Sequence, residues 1–214
     1  MYKRLILNGQ EILLLPEKAV YIPAEEMLVI SDWHLGKLAH FRQEGVLVPF
    51  VPVANELDRL GKLISMYKVD CVVFLGDLFH SRLNGEWHEF VQYIGQFPEI
   101  RFVLTKGNHD ILPAEALADV KLEVLDELVI NGGIVLSHEP VSQLTSSMTN
   151  LVGHIHPGCV VHVKGRQRFR LPCFLLDNNI LTLPAFGKWT GLHIVKNKGN
   201  NQVFAVVDDA VLEV

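Results

Sequence analysis

No apolar run in this 214-residue chain approaches the ~18–20 residues that a membrane-spanning helix requires, so no membrane partner is expected. Cysteine is scarce. Cys71, Cys159 and Cys173 are odd in number and form no CxxC pair, which argues against a disulfide framework or a structural zinc and fits a reducing cytoplasm. An excess of positive charge is absent too. With 19 Lys and Arg against 24 Asp and Glu the net charge is −5, which excludes a wholly basic nucleic-acid binder but leaves room for a local basic patch. The apolar run Leu5–Leu7 breaks at once on Asn8-Gly9, so no secretory signal is expected. Linkers rich in Gly or Ser, repeats and low-complexity tracts are missing, and one domain over residues 1–214 is the expectation. Hydrophobic residues make up 49% of the chain, ample for a packed core and incompatible with intrinsic disorder.

Short β-branched or Leu-rich runs predict strands at Leu5–Leu7, Glu11–Leu15, Ala19–Ile22, Met27–Ile30, Cys71–Leu75, Arg101–Leu104, Leu128–Ile130 and Ile134–Ser137. Further runs predict Val160–Val163, Cys173–Leu176, Ile180–Leu183, His193–Val195 and Val203–Val207. Two segments carry apolar residues at helical spacing: Val53–Tyr67, with Leu57, Leu60, Leu63 and Ile64, and Glu86–Gln96, with Trp87, Phe90, Val91 and Ile94. Helices alternate with strands early and strands crowd together late, which predicts an α/β fold with two packed sheets.

Polar residues are the informative part. Five clusters follow apolar runs: Ser31-Asp32-Trp33-His34, Gly76-Asp77, Gly107-Asn108-His109-Asp110, Ser137-His138-Glu139 and Gly153-His154-Ile155-His156. A buried strand that ends in Asp, His or Asn delivers a rigidly held ligand to the carboxyl edge of a sheet, where α/β folds place their sites. In the Asp-x-His and His-x-His pairs, alternate residues of an extended chain point the same way and can reach one cation. Any one cluster is as readily a turn or a cap; their succession is what points to a metal centre.

This ordered set resembles the calcineurin-like metallophosphoesterases over residues 27 to 156. Finer text, including Gly76-Asp77-Leu78-Phe79-His80-Ser81, Gly153-His154-Ile155-His156-Pro157 and Leu183-Pro184-Ala185-Phe186-Gly187, is similar to the bacterial ligase-associated DNA damage response phosphoesterases. The resemblance implies a four-layer fold, two mixed β-sheets packed together and flanked by helices. It also implies a dinuclear site, with Asp32, His34, Asp77 and His156 on one metal and Asp77, Asn108, His138 and His154 on the other. His109 becomes the acid or transition-state stabiliser, and Asp110 the group that orients it. A DNA ligase and a helicase are the partners the likeness implies.

The donor set has its own chemistry. Two divalent cations bring four positive charges against two carboxylates, Asp32 and Asp77, and the surplus of about two suits a hydroxide plus a phosphodiester monoanion. Imidazole, carboxylate and amide without thiolate suit Mn²⁺, Fe or Zn²⁺, and Mn²⁺ is favoured, in part because the resemblance implies it. The expected reaction is hydrolysis of a phosphodiester, of DNA or RNA, by a metal-activated hydroxide. A phosphomonoesterase or nucleotide pyrophosphatase on the same scaffold is the alternative, and a binding module without chemistry a lesser one.

Other residues carry weaker signals. Lys164, Arg166, Arg168 and Arg170 form a basic run that can hold a nucleic-acid backbone or be a solvated hairpin. Lys37, His40 and Arg42 fall in an expected exposed loop as candidate phosphate clamps, and His80 is a candidate substrate contact. Glu139 is either an outer partner of His138 or a surface residue, and the Trp33 ring is expected to turn away from the metals into packing. His88, His162 and His193 read as ordinary surface or hydrogen-bonded residues.

Overall fold

A computed structural model describes residues 1–49, 53–79, 85–110, 120–165, 167–196 and 198–214. The first sheet has seven strands in chain order: β1 (Lys3–Leu7), β2 (Gln10–Leu15), β3 (Ala19–Ile22), β4 (Met27–Ile30), β5 (Cys71–Leu75), β6 (Arg101–Thr105) and β7 (Leu122–Leu125). β1 to β4 form an antiparallel meander, whereas β4 to β7 run parallel. Chain direction decides this. Asn8-Gly9 turns β1 straight into β2, with both residues at positive φ, while α2 (Ala54–Met66) and α3 (Gly85–Ile94) lie in the crossovers that parallel pairing requires.

The second sheet is built from β8 (Glu127–Ile130), β9 (Ile134–Ser137), β10 (Thr149–Val152), β11 (Pro157–Val163), β12 (Gln167–Asp177), β13 (Ile180–Thr182) and β14 (His193–Ile194). Their spatial order is β14-β11-β12-β13-β10-β9-β8; β15 (Asn201–Val207) pairs with β12, and β16 (Ala210–Glu213) with β15. β9, β10 and β13 run parallel, and the rest of the sheet is mainly antiparallel.

Period-two alternation sorts each buried strand onto two cores. Leu28 and Ile30 of β4 and Val72 and Phe74 of β5 join the layer that packs on α2 (Leu57, Leu60, Leu63) and α3 (Trp87, Phe90, Ile94). Their neighbours Val29, Val73 and Leu75 face Leu136, Leu151, Phe174 and Phe204 across the sheet–sheet interface. Each such side chain, fully buried, contributes roughly 1.5–3 kcal/mol. A smaller cluster around Cys159, Cys173, Val203 and Ala205 lies on the other face of β12, and no described helix contributes to it.

The strand and helix expectations hold to within a few residues at most ends, with informative exceptions. Lys37–Gln43, read as a loop, is helix α1. β7, β10 and β16 had no predicted counterpart, and β11 and β12 begin earlier than their apolar runs. In β10, Thr149 and Asn150 are buried, and Asn150 is held by Val141, Val135 and Ser137. Full hydrogen bonding is what lets a polar residue stand in a central strand, and it conceals the strand from an apolar reading.

Candidate metal centre

Four of the five polar clusters begin as a parallel strand ends: β4 leads into Asp32 and His34, β5 into Gly76-Asp77, β6 into Gly107–Asp110 and β10 into Gly153–His156. The fifth cluster opens with Ser137, the last residue of β9, and His138 follows. β4, β5 and β6 are neighbours in one sheet, β9 and β10 in the other, so all five sets emerge along one edge of the sandwich.

Two groups of donors form there. Asp32, His34 and His156 make the first, and Asp77, His138 and His154 the second, their ligand atoms lying within 4.8 Å of one another in each. In the first, His34 Nε2 and His156 Nε2 are 3.1 Å apart, and His156 Nε2 is 3.3 Å from Asp32 Oδ1. In the second, His138 Nε2 lies 3.0 Å from Asn108 Oδ1, 3.1 Å from His154 Nδ1 and 3.6 Å from Asp77 Oδ1. Bonds of ~2.0–2.2 Å at tetrahedral or octahedral angles separate neighbouring donors by roughly 3.0–3.5 Å, and these spacings match. Asp77 Oδ2 points the other way, 3.9 Å from His34 Nε2. The two oxygens of Asp77 thus face the two groups.

Outer contacts fix the rings. His138 Nδ1 donates to the Leu75 carbonyl at 2.9 Å, which leaves its Nε2 lone pair for the centre. Both oxygens of Asp32 accept the His154 backbone N–H (3.0 and 3.1 Å), and Oδ2 also accepts the Ser31 hydroxyl. Burial works against an ionised Asp32, but the bonds from His156 and Ser31 outweigh it and hold the carboxyl below its usual range. Glu139 does not serve His138. Its carboxylate lies 3.8 Å from His154 Nδ1, and the outer partner of His138 is a main-chain carbonyl.

The backbone corrects one expectation. The ligand pairs are not alternate residues of an extended chain: Asp32, His34, Asp77, His154 and His156 have φ of +50°, +52°, +47°, +70° and +49°. That left-handed conformation costs an L-residue about 1–2 kcal/mol each, and its concentration at one place marks a functional site. It also sends His154 and His156 to different groups. Gly76 shares the geometry at φ +70°, and a Cβ there would run into the His138 ring. Gly76→Ala is therefore expected to weaken divalent-cation binding at the second group by about 10–100-fold, the usual scale for disturbed support of a ligand; a calorimetric metal titration reads it.

The remaining expected site residues sort by place. His109 stands beside the centre, its side chain 44% exposed and its Nε2 4.0 Å from Asp77 Oδ2; its backbone N–H donates to Asp77 Oδ1 at 2.9 Å. Asp110 is buried, and its carboxylate accepts the backbone N–H groups of Gly107 (3.0 Å) and Phe79 (3.2 Å). It ties the loops after β5 and β6 together. Arg42, on α1, donates to the Pro49 carbonyl at 3.1 Å, and His40 is half-buried on the same helix. Lys164 and Arg168 are exposed on the β11–β12 hairpin. His80 and Arg166 lie outside the described residues.

Sequence reading missed a strap beneath Asp32. Phe186 N–H donates to the Ser31 carbonyl at 2.7 Å and Gly187 N–H to the Asp32 carbonyl at 3.2 Å. Lys18 Nζ reaches the Gly187 carbonyl at 3.0 Å, and the Arg59 guanidinium reaches the Phe186 carbonyl and stacks 3.6 Å over its ring. Burial, with Arg59 nearby, lowers the Lys18 amine to about 7.

The family model for calcineurin-like phosphoesterases matches residues 26–191. No curated protein matches the chain significantly. The solved structure of a Pseudomonas putida nuclease, MPE, is similar over 100% of both chains, with 28% identity and a TM-score of 0.83. A protein of unknown function from Aquifex aeolicus is 23% identical over 65% of this chain and 82% of its own, with a TM-score of 0.43. A predicted phosphoesterase from Streptococcus pneumoniae is 16% identical over 85% of this chain and 83% of its own, with a TM-score of 0.35. Two donor groups at the strand ends, the mixed sheets that present them and the extent of the family match agree: the chain belongs to the calcineurin-like phosphoesterase family and is a hydrolase of phosphoric esters.

Proposed function

We propose that the chain is one phosphoesterase domain that hydrolyses phosphodiester bonds of nucleic acid with two divalent cations, Mn²⁺ being the natural pair. The observation that carries this reading is the convergence of donors into two groups with Asp77 between them. The donor chemistry fits: neutral imidazoles, one amide and two carboxylates suit divalent first-row metals and leave positive charge for an anionic ester. Asp32, His34 and His156 would hold one cation and Asn108, His138 and His154 the other, with Asp77 placed to serve both. When bound, such a pair lowers the pKa of water and stabilises entering and leaving oxygens. His109 Nε2, exposed beside Asp77, donates a proton or a charged hydrogen bond to the leaving oxygen, an effect worth about 10²–10⁴-fold.

A polymer is favoured over a small monoester by the open surroundings. β11 leaves the centre directly after His156, and cross-strand pairing puts Arg170 opposite Val160 and Arg168 opposite His162, all exposed. Cations spaced along such a hairpin suit a phosphate backbone. The similar P. putida protein is a nuclease, which supports the same substrate class. The likeness of the motifs to the ligase-associated subgroup supports a role in DNA repair in the cytoplasm, with a DNA ligase and a helicase as the partners it implies.

The deciding experiment compares Mn²⁺-dependent hydrolysis of p-nitrophenyl phosphate and bis(p-nitrophenyl) phosphate. The diester is expected to turn over faster, by about tenfold or more in kcat/KM. Faster monoester turnover overturns the diesterase reading in favour of a phosphomonoesterase.

A further inference from the structure

Of the three tryptophans, Trp33 and Trp87 are 2% and 4% exposed, whereas Trp189 is 43% exposed. Its loop is pinned at both ends to the first donor group. Gly187 N–H binds the Asp32 carbonyl at 3.2 Å, and His193 N–H binds the His156 carbonyl at 3.0 Å. Thr190 Oγ1 closes the turn onto the Gly187 carbonyl at 3.4 Å. A large apolar ring is thus held in solvent beside a candidate metal ligand pair, by backbone bonds that keep it from collapsing onto the core.

The ring forms one wall of a pocket. It is a narrow cleft of about 30 Å³, lined also by His34, Lys37, Lys188, Leu35, Leu38 and Val53, too small to enclose a base, so what a base can meet is the solvent-exposed part of the indole. Lys37 follows His34 by one short turn, its N–H on the His34 carbonyl at 3.2 Å. The two acidic residues of the lining are engaged: the Glu56 carboxylate accepts the Trp33 indole N–H at 2.7 Å, and Glu86 accepts a backbone N–H from Gly36. An exposed indole and two amines beside a phosphoester centre suit one ligand chemistry, an unpaired nucleobase with its phosphates. A paired and stacked base offers no face to an indole, so the occupant is single-stranded.

We infer that the exposed face of Trp189, at the mouth of this cleft, is a single-strand subsite that stacks on the nucleobase next to the scissile phosphodiester, with Lys37 and Lys188 on the flanking phosphates. The inference rests on the phosphodiesterase reading and names where its substrate is gripped.

The test uses the full chain and oligothymidylate as probe. With Ca²⁺ as a spectroscopically silent ion, the oligonucleotide is expected to quench tryptophan emission in the wild type, and Trp189→Phe is expected to abolish the change, since the two other indoles are buried. In steady state with Mn²⁺, Trp189→Ala is expected to raise KM for the oligonucleotide about tenfold, the order of one lost base–aromatic stack, with kcat changed less than about threefold. Trp189→Phe is expected to restore most of the loss. Quenching that persists in Trp189→Phe, or a Trp189→Ala enzyme whose kcat falls while KM holds, overturns the subsite. A wild type that hydrolyses no diester defeats the phosphodiesterase reading instead, and the quenching titration then still decides whether the subsite grips single strands.

Discussion

Asp77→Asn is expected to fold, to bind no more than one Mn²⁺ and to lose well over about 10²-fold in phosphodiester turnover, more than the loss of an outer partner costs. The carboxylate faces both donor sets, Oδ1 at 3.6 Å from His138 Nε2 and Oδ2 at 3.9 Å from His34 Nε2. An amide has a single acceptor oxygen and no charge. It can still accept the His109 backbone N–H, which Oδ1 now accepts at 2.9 Å, so the loop after β6 keeps its anchor. Without metal the variant is expected to melt no lower than the wild type, because a buried negative charge near Asp32 has been removed. Metal separates the two proteins. At 100 times Kd a ligand adds about 2.7 kcal/mol, which for a chain of this size is roughly 5–11 °C in Tm at about 2–4 °C per kcal/mol. The wild type is expected to show a rise of that order with Mn²⁺ and Asp77→Asn much less of it, measured by calorimetry with and without the ion and by elemental analysis of bound metal. An unchanged Mn²⁺ shift together with unchanged turnover would place the cations elsewhere.

The residues grouped here were legible in the sequence because each cluster follows a strand in the chain itself. Where the polypeptide writes a buried run and then Asp, His or Asn, geometry needs nothing distant to present the side chain at a sheet edge. What holds those side chains was not legible, since it comes from atoms every residue has. The Leu75 carbonyl on His138, the His154 amide on Asp32 and the Phe186–Gly187 strap are main-chain partners, and a sequence does not distinguish one carbonyl from another. The left-handed φ of Asp32 or His156 was hidden for a related reason: those residue types sit as readily in extended backbone, and only the surrounding contacts hold the strain. Within the fold, β10 escaped because buried Asn150 breaks its apolar pattern. α1 escaped because Lys37–Gln43 is short and follows Gly36 without a side-chain cap. Trp189 drew no notice because a lone Trp in a polar stretch has no period, and its exposure follows from where two distant backbone bonds pin its loop.

Trp33→Ala is the substitution expected to damage stability most, and its effect on metal binding tests whether packing sets the ligand geometry. The residue lies between Asp32 and His34, which both carry positive φ. Its ring enters the helix-side core, 4.9 Å from Phe186, 6.1 Å from Phe74 and 6.2 Å from Phe90, with the indole N–H on Glu56 at 2.7 Å. Deleting a buried Trp leaves a cavity and costs about 3–5 kcal/mol, or roughly 6–20 °C in Tm at this chain length. The cavity opens under two ligands of the first group, Asp32 and His34, and beside Phe186, whose N–H holds the Ser31 carbonyl. Once the ring is gone, the strained backbone at Asp32 and His34 is free to relax toward extended values, and the carboxylate and imidazole then swing apart. Metal affinity at the first group is therefore expected to fall along with stability. Trp33→Phe keeps an aromatic filler and removes the indole N–H from Glu56, a loss of about 1.5–3 kcal/mol for a charged partner, and is expected to retain most of the Mn²⁺ affinity. Should Trp33→Ala melt early yet bind Mn²⁺ as the wild type does, the strand ends and their main-chain bonds alone hold the ligands, and the aromatic core beneath them serves only to keep the two layers together.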